Sequence, residues 1–134
     1  NGSTIDGQSS KGSTPLMAAA KNNHVECLRA LLAKRSNPHA KDKDGDTALN
    51  TAAYFGRVEA VRFLLENGSR IDDPNDKGWT PLMSAAQNNH VECLRALLVN
   101  GADCNTKNNH GSTALLIAAL NGSLEALLIL IENG

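Results

Sequence analysis

Apolar residues recur along the chain in two alternating patterns. The first is a compact block, Leu16, Ala19 and Ala20 or Leu82, Ala85 and Ala86, which opens at Thr14-Pro15, Thr47-Ala48, Thr80-Pro81 or Thr113-Ala114. Thr supplies an N-cap oxygen, and Pro is tolerated in a first helical turn, where its missing N–H would have no partner. The second is a longer series, Val25, Leu28, Leu31, Leu32 or Val91, Leu94, Leu97, Leu98, whose spacings of three, six and seven put one helix face inward. Between the two stands Asn23, Gly56, Asn89 or Gly122. These residue types tolerate the left-handed conformation that ends a helix. The pattern predicts antiparallel helix pairs, with the paired alanines letting the first helix lie close to its neighbours.

The pairs repeat with a fixed step of 33 residues: Gly12, Gly45, Gly78 and Gly111 open the blocks GSTPLMAAA, GDTALNTAA, GWTPLMSAA and GSTALLIAA. A period of this size means a solenoid whose units bury their apolar faces only against each other. The stretches 36–44, 69–77 and 102–110 are polar and rich in Asp, Asn, Lys and Gly, and read as loops with short hairpin-like turns. One domain, 1–134, is expected: the tail of a preceding unit over 1–11, full units over 12–44, 45–77 and 78–110, and a truncated unit over 111–134. Alternate units are siblings. The first and third share TPLM and NNHVECLRALL, while the second and fourth share TAL, a Gly after the alanines and a closing Glu-Asn-Gly, which implies growth by a 66-residue doublet. The last helix, with Leu124, Leu127, Leu128, Ile129, Leu130 and Ile131, is more apolar than its counterparts, so the chain reads as an excerpt of a longer array or as an end that docks on something.

Composition narrows the class. Hydrophobic residues make up 41% of the chain but aromatics only 3%, so the interior must be built from Ala, Leu, Val and Ile. A net charge of −1 argues against a nucleic-acid partner, which requires clustered Lys and Arg. No apolar run approaches the roughly 18 residues that span a bilayer, and no signal-peptide pattern opens the sequence. Cys27 and Cys93 stand at one position two units apart, beyond disulfide reach, and Cys104 is odd. An intracellular chain is expected, cytoplasmic before nuclear.

Reactive constellations are few. Asp42-x-Asp44-x-Asp46 begins like a calcium loop but carries Thr47 and Ala53 where Gly and Glu are needed. His24-x-x-Cys27 and His90-x-x-Cys93 each offer two ligands, too few for a closed tetrahedral site, and the histidines read instead as helix-capping and packing residues. No nucleophile elbow, phosphate-cradling loop or two-metal cluster is present, so neither enzyme activity nor a cofactor or metal is expected. Asn1, Asn67 and Asn121 each precede Gly-Ser in the glycosylation pattern, inert in a cytosolic chain, and the last two read as turn residues.

The blocks resemble ankyrin repeats, most closely in the third unit: Gly78, Thr80, Pro81, Leu82, Ala85, Ala86, His90, Val91, Leu97, Leu98, Gly101, Ala102, Asp103 and Asn105. That resemblance covers nearly the whole chain. It implies an all-α ankyrin-repeat solenoid of four stacked helix pairs with short β-hairpin-like turns. Met17, Asn50, Met83 and Leu116 replace the family's usual His, which questions the side-chain bonding there, and Arg35-Ser36-Asn37 replaces Gly-Ala-Asp, so the first exit loop is expected to differ. Asn105 is similar to ankyrin asparagines that some cells hydroxylate. The resemblance also implies a concave binding face built from turn tips and the ends of first helices. Carried onto this sequence, it contributes Tyr54, Phe55, Trp79, Asp44, Asp46, Lys77, Gln87, Asn88, His110 and Leu120, with three of the four aromatic residues gathered in adjacent units. Phe63 is expected in the core. The expected function is protein–protein interaction, with aromatic anchors and an acidic rim suited to a partner that sets Lys or Arg beside an apolar residue. The apolar C-terminal unit offers a further contact. Alternatives are the regulatory or targeting arm of a larger enzyme, channel or ubiquitin ligase, and a small-ligand or nucleotide-sensing groove; the latter needs a basic pocket, which acidic tips disfavour.

Overall fold

The computed structural model describes residues 3–134 and contains eight α-helices in four antiparallel pairs: α1 (Pro15–Lys21) with α2 (Val25–Ala33), α3 (Ala48–Phe55) with α4 (Val58–Glu66), α5 (Pro81–Gln87) with α6 (Val91–Val99), and α7 (Ala114–Leu120) with α8 (Leu124–Asn133). A single 3-10 turn, Ser3–Asp6, precedes them, and no strand occurs among the described residues. Each first helix starts where sequence places it, because Thr14, Thr47, Thr80 and Thr113 accept the backbone N–H three residues on. Each pair then reverses through a left-handed residue, Asn23, Gly56, Asn89 or Gly122.

The helices form two parallel rows. α1, α3, α5 and α7 pack in one row, and α2, α4, α6 and α8 in the other. Ala20, Ala52, Ala53, Ala85, Ala86 and Ala118 are fully buried in the first row, where their lack of a longer side chain brings the helices together. Leu28, Leu64, Leu94 and Leu97 fill the space between rows, each fully withdrawn from water and contributing about 1.5–3 kcal/mol. Phe63 packs partly buried against this core, with the Arg29 guanidinium 5.0 Å above its ring. No helix is long and apolar enough to cross a membrane among the described residues.

Projecting from the first row are four tight turns, hydrogen-bonded in one way. The side chain of Ser9, Asp42, Asn75 or Asn108 accepts two backbone N–H groups across its turn, and the backbone closes it, as in Asp42 N–H to the Asp46 carbonyl at 3.0 Å. Successive turns are hooked together: the N–H of Lys43, Asp76 and Asn109 donates to the carbonyl of Lys11, Asp44 and Lys77, at 3.1, 3.0 and 3.0 Å. The tips therefore form one rigid ridge.

Two sequence expectations are corrected here. The first exit loop does not differ: Ser36 N–H donates to the Leu31 carbonyl at 3.0 Å just as Ser69 and Ala102 do to Leu64 and Leu97, and Arg35 adopts the left-handed conformation (φ 69°) of Gly68 and Gly101. Nor do the histidines cap their helices. His24 and His90 stand at the N-caps of α2 and α6 without a capping bond, and His90 reaches back to the Tyr54 carbonyl of the preceding pair, Nε2 to O 3.0 Å. The bonding questioned at the replaced His survives in the second unit, where Thr47 donates to Asn50 Oδ1 at 2.6 Å and Asn50 Nδ2 donates to the Trp79 carbonyl at 3.2 Å.

Candidate functional site

The turn ridge and the first-helix row enclose a groove of about 660 Å³ centred on the second unit and flanked by the first and third. Seven of the ten residues singled out by sequence line it: Tyr54, Phe55, Trp79, Asp44, Asp46, Lys77 and Gln87. Tyr54 and Phe55 end α3 at a T-shaped edge contact, ring centroids 5.1 Å apart, and both stay exposed to water at 45% and 38%. Lys21 Nζ lies 5.2 Å above the Phe55 ring, so a cation already occupies one aromatic face. Trp79 is half-buried against the core. Its backbone is fixed by Asn75, which accepts its N–H at 3.0 Å, and by Asn50 and the Asn75 N–H, which both donate to its carbonyl. Neither the Tyr54 hydroxyl nor the Trp79 indole N–H has a side-chain or backbone partner among the described residues.

Three carboxylates line the same groove. Asp42, Asp44 and Asp46 bring oxygens within 4.8 Å of one another. Their structural duties differ: Asp42 Oδ1 accepts the N–H of Asp44 and Asp46, and Asp46 Oδ1 accepts Asn75 Nδ2 at 3.0 Å. Burial pushes the Asp46 carboxyl above its ordinary range against the opposing Asn75 bond, and the charges of Asp42, Asp44 and Asp76 add to the rise. Lys11, Lys21, Lys43 and Lys77 line the groove as well, so the carboxylates form a local acidic cluster in a wall of mixed charge. Lys41, by contrast, is committed to Asp73 at 3.5 Å and to the Pro74 carbonyl.

The other three residues fall elsewhere. Asn88 Nδ2 donates to the Tyr54 carbonyl at 3.0 Å, a bond between units. His110 is exposed at the last turn tip, and Leu120 lies 72% exposed at the open end of the stack. The groove also includes Asn50, Thr51 and Ser84, which the sequence reading passed over. Helical periodicity was the available signal, because Asn50 and Thr51 lie one turn before Tyr54 on the same face. Asn105 is exposed, its N–H donated to Asp103. The glycosylation-pattern residue Asn1 lies outside the described residues.

The architecture defines the class: an α-solenoid of helix pairs with projecting turns, whose extended groove suits contact with another macromolecule. The chain belongs to the ankyrin-repeat family. A family model for ankyrin repeats (3 copies) matches residues 1–75 and again 67–134. Ankyrin repeats are in general protein–protein interaction modules, and the family is an interaction fold, not an enzymatic one. No curated protein gives a significant match to the chain.

Proposed function

We propose that the groove binds an exposed segment of a partner protein that sets an aliphatic or aromatic residue beside Lys or Arg. The observation carrying this reading is the convergence of Tyr54, Phe55 and Trp79 with Asp42, Asp44 and Asp46 in one concavity. The apolar anchor would lie against the three rings, using area that is already ordered, so little entropy is lost on binding. Its basic neighbour would enter the carboxylate field, gaining charge-assisted hydrogen bonds and faster encounter. Lys11, Lys21, Lys43 and Lys77 line the same groove, and they confine a partner's positive charge to the neighbourhood of the three carboxylates.

A displayed random-peptide library selected on the folded array tests the proposal. Enriched peptides should carry Lys or Arg within a few positions of a large apolar residue. Their binding should fall at least tenfold in a Tyr54→Ala, Phe55→Ala, Trp79→Ala variant of unchanged helicity. Enrichment without that pairing, or equal binding by the triple variant, would reject it.

A further inference from the structure

Two kinds of junction alternate along the stack. Between the first and second units, and again between the third and fourth, a left-handed asparagine reaches across. Asn23 Oδ1 accepts Ala60 N–H at 3.1 Å and its Nδ2 donates to Glu59 at 2.9 Å; Asn89 does the same with Ala126 and Glu125, at 3.1 and 2.7 Å. Facing these asparagines are Arg57 and Ser123, which donate back to the Lys21 and Gln87 carbonyls at 2.7 and 3.0 Å. Between the second and third units the chemistry is exchanged. Gly56 takes the asparagine's place and the His90 ring lies on it, so that a Cβ there would come within 2.5 Å of Nδ1 and 2.7 Å of Cε1. His90 and Asn88 both bond the Tyr54 carbonyl at 3.0 Å. Asparagine is thus matched to Arg or Ser, and glycine to His.

The fourth unit presents the glycine half of such a junction with nothing on it. A Cβ on Gly122 would have no neighbour within 4 Å, and the Leu120 carbonyl has no donor among the described residues. Leu115 and Leu116 are 40% and 46% exposed, whereas their second-unit counterparts Leu49 and Asn50 are each 1% exposed beneath the third unit. Leu124, Leu128 and Ile131 extend the bare surface along α8.

We propose that this face is a docking surface for one occupant, an ankyrin helix pair of the first-and-third type. It carries His at the N-cap of its second helix, and the imidazole settles on Gly122 and bonds the Leu120 carbonyl. The template is the junction between the second and third units, continued by one step with the same groups. A helix pair of the second-and-fourth type is disfavoured because it brings Arg or Ser in place of the ring and leaves Gly122 without a filling group.

The test extends the full chain in register after Gly134, either with a copy of residues 69–77 followed by 78–110 or with 69–77 followed by 45–77. Gly122→Asn is introduced into each. The variant keeps its backbone conformation, since Asn23 and Asn89 hold the same left-handed geometry at φ 58° and 54°. Gly122→Asn should lower the melting temperature of the first extension and hold or raise that of the second, and replacing the appended histidine by Ser should restore the first. Because the readout is a difference in sign, unequal intrinsic stability of the two appended units does not affect it. Equal shifts in both backgrounds would overturn the proposal.

Discussion

Gly45 and Gly111 offer a direct measure of what the hooked turn ridge contributes. Both have nearly the same backbone, φ 81° and 78°, where an L side chain costs about 1–2 kcal/mol. Their surroundings differ. A Cβ on Gly45 would meet the Asp76 backbone N at 2.7 Å as well as its carboxylate, whereas a Cβ on Gly111 has nothing within 4 Å. The Asp76 N–H is the one that hooks onto the Asp44 carbonyl, so this contact cannot be relieved without breaking the ridge. Overpacking of that kind costs about 1–3 kcal/mol. Ala at either site also lowers unfolded-state entropy by the same amount, a contribution that cancels in the comparison. Gly45→Ala should therefore destabilise by about 2 kcal/mol more than Gly111→Ala, read as the difference in free energy from urea unfolding followed by circular dichroism, with unchanged slopes. Equal losses at the two sites would show that the turns are independent and that the ridge is not a unit.

Arg35→Gly should stabilise the array by about 0.5–1 kcal/mol in the same assay, because it relieves a left-handed non-glycine residue while losing some of that gain to unfolded-chain entropy. Asp46→Asn should raise the melting temperature at neutral pH while weakening binding of Lys-containing peptides selected on the groove. Because the folded-state pKa of Asp46 is raised, its ionised form opposes folding above that pKa, and the penalty fades as pH falls through it; the variant's advantage should fade over the same acid range. Thiol labelling should separate the cysteines. Cys27 is exposed and should react first, whereas burial pushes the Cys93 thiol up from 9.0 to about 11, against an opposing Arg62 charge, leaving about a hundredfold less thiolate. Cys93 modification should track global unfolding, and labelling at the Cys27 rate would contradict its burial.

Much of this molecule was legible because ankyrin units repeat the same local physics. Thr caps, paired alanines and left-handed residues act within a few positions of themselves, and a 33-residue step shows them four times over. What escaped the sequence was carried by bonds between units. His90 has no capping role visible in its own helix, because its partner, the Tyr54 carbonyl, is 36 residues away. Asn88 stands at a position suited to a partner contact, yet its amide is committed to that same carbonyl. The aromatic trio shares one groove because Tyr54 and Phe55 end the first helix of one unit and Trp79 stands at the turn tip that opens the next. Leu120 illustrates the opposite limit: its position in the repeat matches that of Tyr54, but only the neighbouring unit decides whether that position is groove wall or open end. The 66-residue doublet is where the two levels meet. In sequence it is a similarity between alternate units, and in the structure it is an exchange of asparagine for glycine and of Arg or Ser for His across each junction. A unit moved by one step along this array would meet the wrong partner, so the doublet sets the order of units.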